Sequence, residues 1–300
     1  MEPEVITVGL DGSAESLAAA RWAADEAERR RAVLRLLHAW ILLAAEGPDT
    51  PPDRDQNAGA RRLVEEALDE VRADHPDLRI IEDLVGSEAV PALLRAAEGS
   101  RLLALGSRAL TAWESYVLGD VSLEVVGRAG RPVVLVREGW SGRPAFRGAE
   151  AEDVPVPAPH LVVGMGLKGP CDALLSFAFD AAARRDLPLH AVHGVALPVT
   201  AYAPWGIDPD AAGQFVKERD EVLRETLRPW RERFPGVEVA VTVRTENPTR
   251  ALVHSAPGAV LLAVGRRRRR AFAPRVGPVA HAAMHHAVCP VAVVPDEEAA

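Results

Sequence analysis

Cysteine is nearly absent from this chain. Cys171 and Cys289 stand far apart and outside any C-x-x-C pattern, which excludes a disulfide scaffold and fits a reducing compartment. Long apolar runs are missing as well, and none approaches the length of a membrane span. The acidic stretch Met1–Glu4 lacks the charged-then-apolar pattern of a secretory leader, so a cytoplasmic protein is expected. Positive charge is in deficit: the net charge of −8 argues against general affinity for nucleic acid. The signatures of catalysis are also lacking. There is no G-x-S-x-G elbow, no Walker lysine and no convincingly spaced pair of carboxylates, so a non-enzymatic role is expected.

What the chain does contain is itself, twice. Its 300 residues suffice for two ordinary domains, and its 48% apolar and 26% charged residues are globular proportions. Residues 8–38 lie over residues 163–193 without a gap, at an offset of 155 (163 minus 8). Identical pairs include Val8 and Val163, Gly9 and Gly164, Asp25 and Asp180, Arg30 and Arg185, and His38 and His193. Gly99–Gly106 (GSRLLALG) then lies over Gly258–Gly265 (GAVLLAVG) at an offset of 159. Pro132–Val136 lies over Pro290–Val294 at 158, so the second copy lacks one residue between Gly265 and Gly277. Three ordered matches at nearly constant offset mark a duplication of a whole domain, since the period is too long for a solenoid. The expected domains are residues 1–138 and 159–296, joined by a Gly-, Pro- and acid-rich linker over 139–158.

Each copy alternates strand and helix. In the first, apolar β-branched runs predict strands over 5–10, 33–38, 78–84, 102–105 and 133–136. Amphipathic spacing predicts helices over 14–31, 58–74, 88–98 and roughly 115–128, the first placing Leu17, Ala20, Ala24 and Ala27 inward with Arg and Glu opposite. The fold class is therefore α/β: two tandem domains, each a five-stranded parallel sheet with helices on both faces. Ligands of such sheets bind beyond the carboxyl ends of the strands where strand order reverses, here near 9–13, 38–41 and 106–122.

Four segments of the first copy carry a resemblance. Val8-Gly9-Leu10-Asp11-Gly12-Ser13 follows the first strand, and Leu36-Leu37-His38-Ala39 ends the second. Gly106-Ser107-Arg108 follows the fourth strand, and Gly119-Asp120-Val121-Ser122 opens the last helix. Nearly the whole chain, once per copy, resembles the universal stress protein family, in which tandem members are common. The resemblance implies the adenine-nucleotide α-hydrolase-like fold and, in some members, ATP held by G-x2-G-x9-G-(S/T). Glycines there admit phosphates close to the backbone, and a helix start favours an anion. The resemblance places Gly9, Asp11, Ala39, Gly106, Arg108, Ala109, Gly119, Asp120, Val121 and Ser122 around the ligand. Asp11 would face the nucleotide, and the backbone of Ala39 would border the adenine.

Neither copy keeps the motif intact. In the first, Ala109 replaces the second glycine and Asp120 replaces the hydroxyl residue. Like charges 4 Å apart cost about 1 kcal/mol in water and about 4 kcal/mol at an effective dielectric near 20, so Asp120 weakens triphosphate binding at least about fivefold. Arg108 or a Mg2+ ion would offset that charge, and Asp120 otherwise reads as a helix cap. In the second copy Gly166 replaces Asp11, Arg268 replaces the second glycine, and Gly277 is followed by Pro278, Val279 and Ala280, so ATP binding is expected to be lost. Two open possibilities concern assembly: a pseudo-dimer of the copies through their fifth strands, and a homodimer of the whole chain.

Other features read as secondary. Gly164–Gly169 spells G-x-G-x-x-G, but the second strand ends in His193-Gly194-Val195 without the acidic residue of a dinucleotide site. Arg266–Arg270 is either a solvated loop or a phosphate clamp, and no aromatic residue interleaves it for base stacking. His281 and His285 share a helix face as a zinc pair would, without a third ligand or the glutamate of H-E-x-x-H. His38 and His193 end equivalent strands and read as structural imidazoles. Tyr202 and Trp205 lie in a Pro-containing loop. The expected function is a stress-response sensor or adaptor with weak ATP binding in the first copy, Mg2+ accompanying the nucleotide. One alternative is a module that binds a protein partner and no nucleotide. The other is a weak Mg2+-dependent ATPase or adenylyl-transfer enzyme relying on Asp11 and Asp120.

Overall fold

The computed structural model describes residues 3–41, 56–107, 120–140, 158–167, 169, 171–198, 201–203, 206–266 and 276–296. The chain divides into two compact units, the first centred on residues 1–142 and the second on residues 143–300. In the first unit the elements are β1 (Val5–Leu10), α1 (Ala14–Arg30), β2 (Val33–Trp40), α2 (Gln56–Asp74), β3 (Ile80–Gly86), α3 (Ala89–Glu98), β4 (Leu102–Ser107), α4 (Asp120–Arg128) and β5 (Val133–Arg137). All strand pairings are parallel, in the order β3-β2-β1-β4-β5. The strands are apolar because helices cover them: Ile6, Val8, Leu34, Leu36 and Leu102 are all fully buried. At the edge of the sheet β3 alternates differently, leaving Ile81 and Leu84 exposed.

Helix α1 departs from a simple amphipathic reading. Its face of Ala18, Ala20, Ala24 and Ala27 is buried, but so are Glu26 and Arg30, each with 1% of its side chain exposed. The two form an ion pair of 2.5 Å one turn apart, which is how a core-facing helix carries charge. Ser13 caps the helix through its hydroxyl, and Arg31 closes it in a left-handed conformation with φ 52°.

The second unit repeats the plan with β6 (His160–Gly164), α5 (Asp172–Ala183), β7 (Leu189–Gly194), β8 (Tyr202–Ala203), β9 (Gly206–Ile207), α6 (Pro209–Arg233), β10 (Val239–Arg244), α7 (Pro248–Ser255), β11 (Ala259–Arg266), α8 (Pro278–His286) and β12 (Val291–Pro295). Its parallel order β10-β7-β6-β11-β12 is that of the first unit, strand for strand. Between β7 and α6 lies an antiparallel pair, β8 with β9. Asp208 caps α6, Pro209 opens it, and Leu223 and Leu227 with the Phe179–Trp230–Phe234 cluster anchor its second half.

Candidate functional site

Strand order reverses between β1 and β4 in the first unit and between β6 and β11 in the second. A crevice opens at such a point because the loops leaving the two strands run in opposite directions. Glycines line both seams for a steric reason. A Cβ on Gly9 would stand 2.8 Å from Leu93 of α3, and one on Gly164 would stand 2.8 Å from Leu252 of α7. The offsets place Leu252 on Leu93 (252 minus 159) and Gly164 on Gly9, so the duplicated contact survives in three dimensions. The histidines do the same. His38 Nδ1 donates to the carbonyl of Leu10 at 2.8 Å, and His193 Nδ1 donates to that of Met165 at 2.8 Å. Each imidazole thus ties the end of one strand to the segment leaving its neighbour.

Beyond these contacts the units part. In the first, Gly106 brings β4 against the start of α1, where a Cβ would fall 2.6 Å from the carbonyl carbon of Glu15 and 2.7 Å from the Ser16 nitrogen. The turn before α1 is closed by its own side chains. Asp11 Oδ1 accepts from the Ser13 amide at 3.0 Å and the Ser13 hydroxyl at 2.5 Å. Ser13 Oγ accepts from the Ser16 amide at 3.2 Å, and Ser16 Oγ donates to the Ser13 carbonyl at 2.8 Å. Across the seam, Ser122 Oγ donates to the Gly106 carbonyl at 3.5 Å, linking the first turn of α4 to the end of β4. Asp120 is the first residue of α4, so its carboxylate stands in the first helical turn. Ser107 is 4% exposed, and its hydroxyl finds no hydrogen-bond partner among the described residues.

Of the residues expected around a ligand, Gly9, Asp11, Ala39, Gly106, Asp120, Val121 and Ser122 stand at the carboxyl end of this sheet, Ala39 pairing with Val85. Arg108, Ala109 and Gly119 lie outside the described residues. Ser13 and Ser107 belong to the same end, inside two of the segments that carry the resemblance but not among the expected ligand residues. The spacing Asp11-x-Ser13-x-x-Ser16, a turn followed by a cap, was the available signal for the first.

In the second unit α5 starts at Asp172, which corresponds to Leu17 (172 minus 155), whereas α1 starts at Ala14. The space above Gly265, the equivalent of Gly106, holds Leu174 and the Asp296 carboxylate, with Asp296 Oδ1 3.5 Å from an added Cβ. Burial, then Asp172 and Asp296, push the Cys171 thiol above its ordinary pKa. The helix α8 opens with Pro278 after Gly277, which offers no side-chain cap. The G-x-G-x-x-G segment runs from the end of β6 toward α5, and Lys168 lies outside the described residues. Arg266 is 5% exposed, whereas 267–270 and Trp205 lie outside the described residues. His281 and His285 do meet, with ring centroids 4.3 Å apart, but no group of three metal-ligating side chains occurs among the described residues. No described helix is long and apolar enough to cross a membrane.

The sequence profile of the Universal stress protein family matches residues 3–137 and again 158–295. The chain belongs to the universal stress protein family. It is a tandem member, one family domain per unit. It is 33% identical over 303 residues to Universal stress protein Rv2005c of Mycobacterium tuberculosis, covering 96% of each chain. Universal stress protein Rv2623 of the same organism is 32% identical over 302 residues, covering 96% of this chain and 95% of that one. Among solved structures, a universal stress protein from Archaeoglobus fulgidus shares the fold with a TM-score of 0.67, over 98% of this chain and 99% of that one, at 17% identity.

Proposed function

We propose that this universal stress protein is a non-enzymatic, cytoplasmic sensor or adaptor whose first unit binds an adenine nucleotide weakly at the seam of β1 and β4. The observation that carries the reading is the difference between Gly106 and Gly265. In the first unit β4 closes directly onto the start of α1, bringing Asp11, Ser107 and the first turn of α4 to one seam. In the second unit no such close approach is made at Gly265, which faces Leu174 and the Asp296 carboxylate instead, and Pro278 replaces an amide donor at the start of α8. One ligand site per chain follows.

Calorimetric titration with AMP, and with ATP plus Mg2+, tests this. The expected result is one site per chain for at least one nucleotide, unchanged when Arg266–Arg270 are neutralised. Loss of binding in that variant would move the site to the second unit. No heat from either nucleotide at millimolar concentration would defeat nucleotide binding altogether.

A further inference from the structure

Taking that seam as an adenine pocket, we infer that it selects the uncharged nucleoside over its phosphate esters, and that Asp120 sets the selection. Phosphates are held at such strand ends by free amides at helix starts. At the start of α1 two such amides are already engaged. The Ser13 amide is bound by Asp11 Oδ1 and the Ser16 amide by Ser13 Oγ, so a phosphate must displace a carboxylate or a cap to reach them. The α4 dipole is complemented from within its own first turn by the Asp120 carboxylate.

The charge at this end of the sheet points the same way. Asp11 follows β1, Glu15 lies in the first turn of α1, Glu88 precedes α3 and Asp120 opens α4. Among the described residues at this end, Arg95, which donates to Ser87, and Arg137, which ends β5, stand against them. A phosphate ester brings one or more further negative charges, whereas a nucleoside brings none. A second observation is independent of charge. Ser107 at the end of β4 holds a buried hydroxyl without a partner among the described residues, a donor and acceptor open to a polar ligand such as a sugar hydroxyl. Carboxylates accept hydrogen bonds from sugar hydroxyls, as acidic residues at the strand ends of related sheets do for ribose. A ribose diol is thus welcome where a phosphate is not.

The test is a calorimetric series on the full chain with adenosine, AMP and ATP, each with and without Mg2+. Adenosine is expected to bind more tightly than Mg2+-free ATP by at least about fivefold, with AMP between them, and raised salt should narrow the gap. Asp120→Ser and Asp120→Asn should each narrow the ratio by strengthening Mg2+-free ATP relative to adenosine. The asparagine keeps the side-chain size, so a folding defect in the serine variant would not decide the matter. Tighter binding of Mg2+-free ATP than of adenosine would overturn the inference while leaving the adenine pocket in place. So would ATP binding that exceeds adenosine once Mg2+ is added, because the carboxylates would then be holding the metal. Unaltered selectivity in both variants would remove Asp120 from the role. Heat from none of the three would overturn the pocket and the inference together.

Discussion

Two glycines at equivalent positions offer a controlled experiment within one molecule. Gly106→Ala puts a methyl group 2.6 Å from the backbone of Glu15, where ordinary contact begins at 3.4 Å, so the start of α1 or the end of β4 must shift by 0.8 Å (3.4 minus 2.6). The obstacle is backbone on a capped helix whose Ser16 is buried, so it cannot rotate aside as a side chain would. Overpacking of this kind costs about 1–3 kcal/mol, and the smaller unfolded-state entropy of alanine returns about 0.4–1 kcal/mol. A net loss of about 1–2 kcal/mol is expected, or roughly 2–8 °C in the melting of the first unit. Gly265→Ala meets Asp296 at 3.5 Å and Leu174 at 3.6 Å, both ordinary contacts, and should leave stability within about 0.5 kcal/mol of the parent. Scanning calorimetry reads the two losses, and amide exchange over residues 13–20 shows whether the Gly106→Ala loss sits at the start of α1. Adenine-ligand affinity should fall only in Gly106→Ala. Equal melting of the two variants would refute the asymmetry between the units, and a stable Gly106→Ala with unchanged exchange would refute the tight contact itself.

Three further outcomes follow from the buried charges and the histidine stack. Glu26→Ala strips Arg30 of its 2.5 Å partner in a buried setting and should cost about 3–5 kcal/mol in urea unfolding, whereas replacing both residues by leucine should recover most of that loss. His190 stacks on His160 with ring centroids 4.1 Å apart, and burial, then His160, lower its pKa below 6.5, with Glu238 opposing. The unfolded chain therefore binds the proton more readily than the folded one. The stability contributed by the neutral ring is complete above pH 6.5 and is lost as the pH falls through that value toward the lower folded pKa. The urea midpoint of the second unit should drop between about pH 7.5 and about pH 5.5, and His190→Gln should flatten that slope. Cys171, its pKa raised by burial, Asp172 and Asp296, should react with a thiol reagent more slowly than a free thiol at neutral pH. Asp296→Asn should speed that reaction, and no change would mean that Asp296 does not face the thiol.

Much of this molecule was legible in the amino acids because the signals were local or repeated. Periodicity alone placed β1 at Val5–Leu10 and α1 from Ala14, and the constant offsets showed that one topology would occur twice. The third strand, expected over 78–84, runs instead over Ile80–Gly86, since its start is set by pairing Ile80 with Leu34 rather than by its own composition. Glu26 and Arg30 read as a solvated face because charge pattern is local, whereas burial depends on what packs against the helix.

The candidate site divides along the same line. The resemblance to the family motif, read one position at a time, sets Asp120 where some members carry a hydroxyl residue, and Pro278 lacks an amide donor by its own chemistry. Both are read at single positions and need no fold. Only tertiary structure decided that Gly106 abuts the first turn of α1 while its duplicate Gly265 faces Asp296, because that distinction rests on where α5 begins and where the chain runs after β12. It also decided that Asp11 and Ser13 close the turn upon themselves, since a donor and its acceptor are recognised by distance and not by name. Two glycines identical in the alignment have opposite surroundings because backbone contact is a property of the packed state.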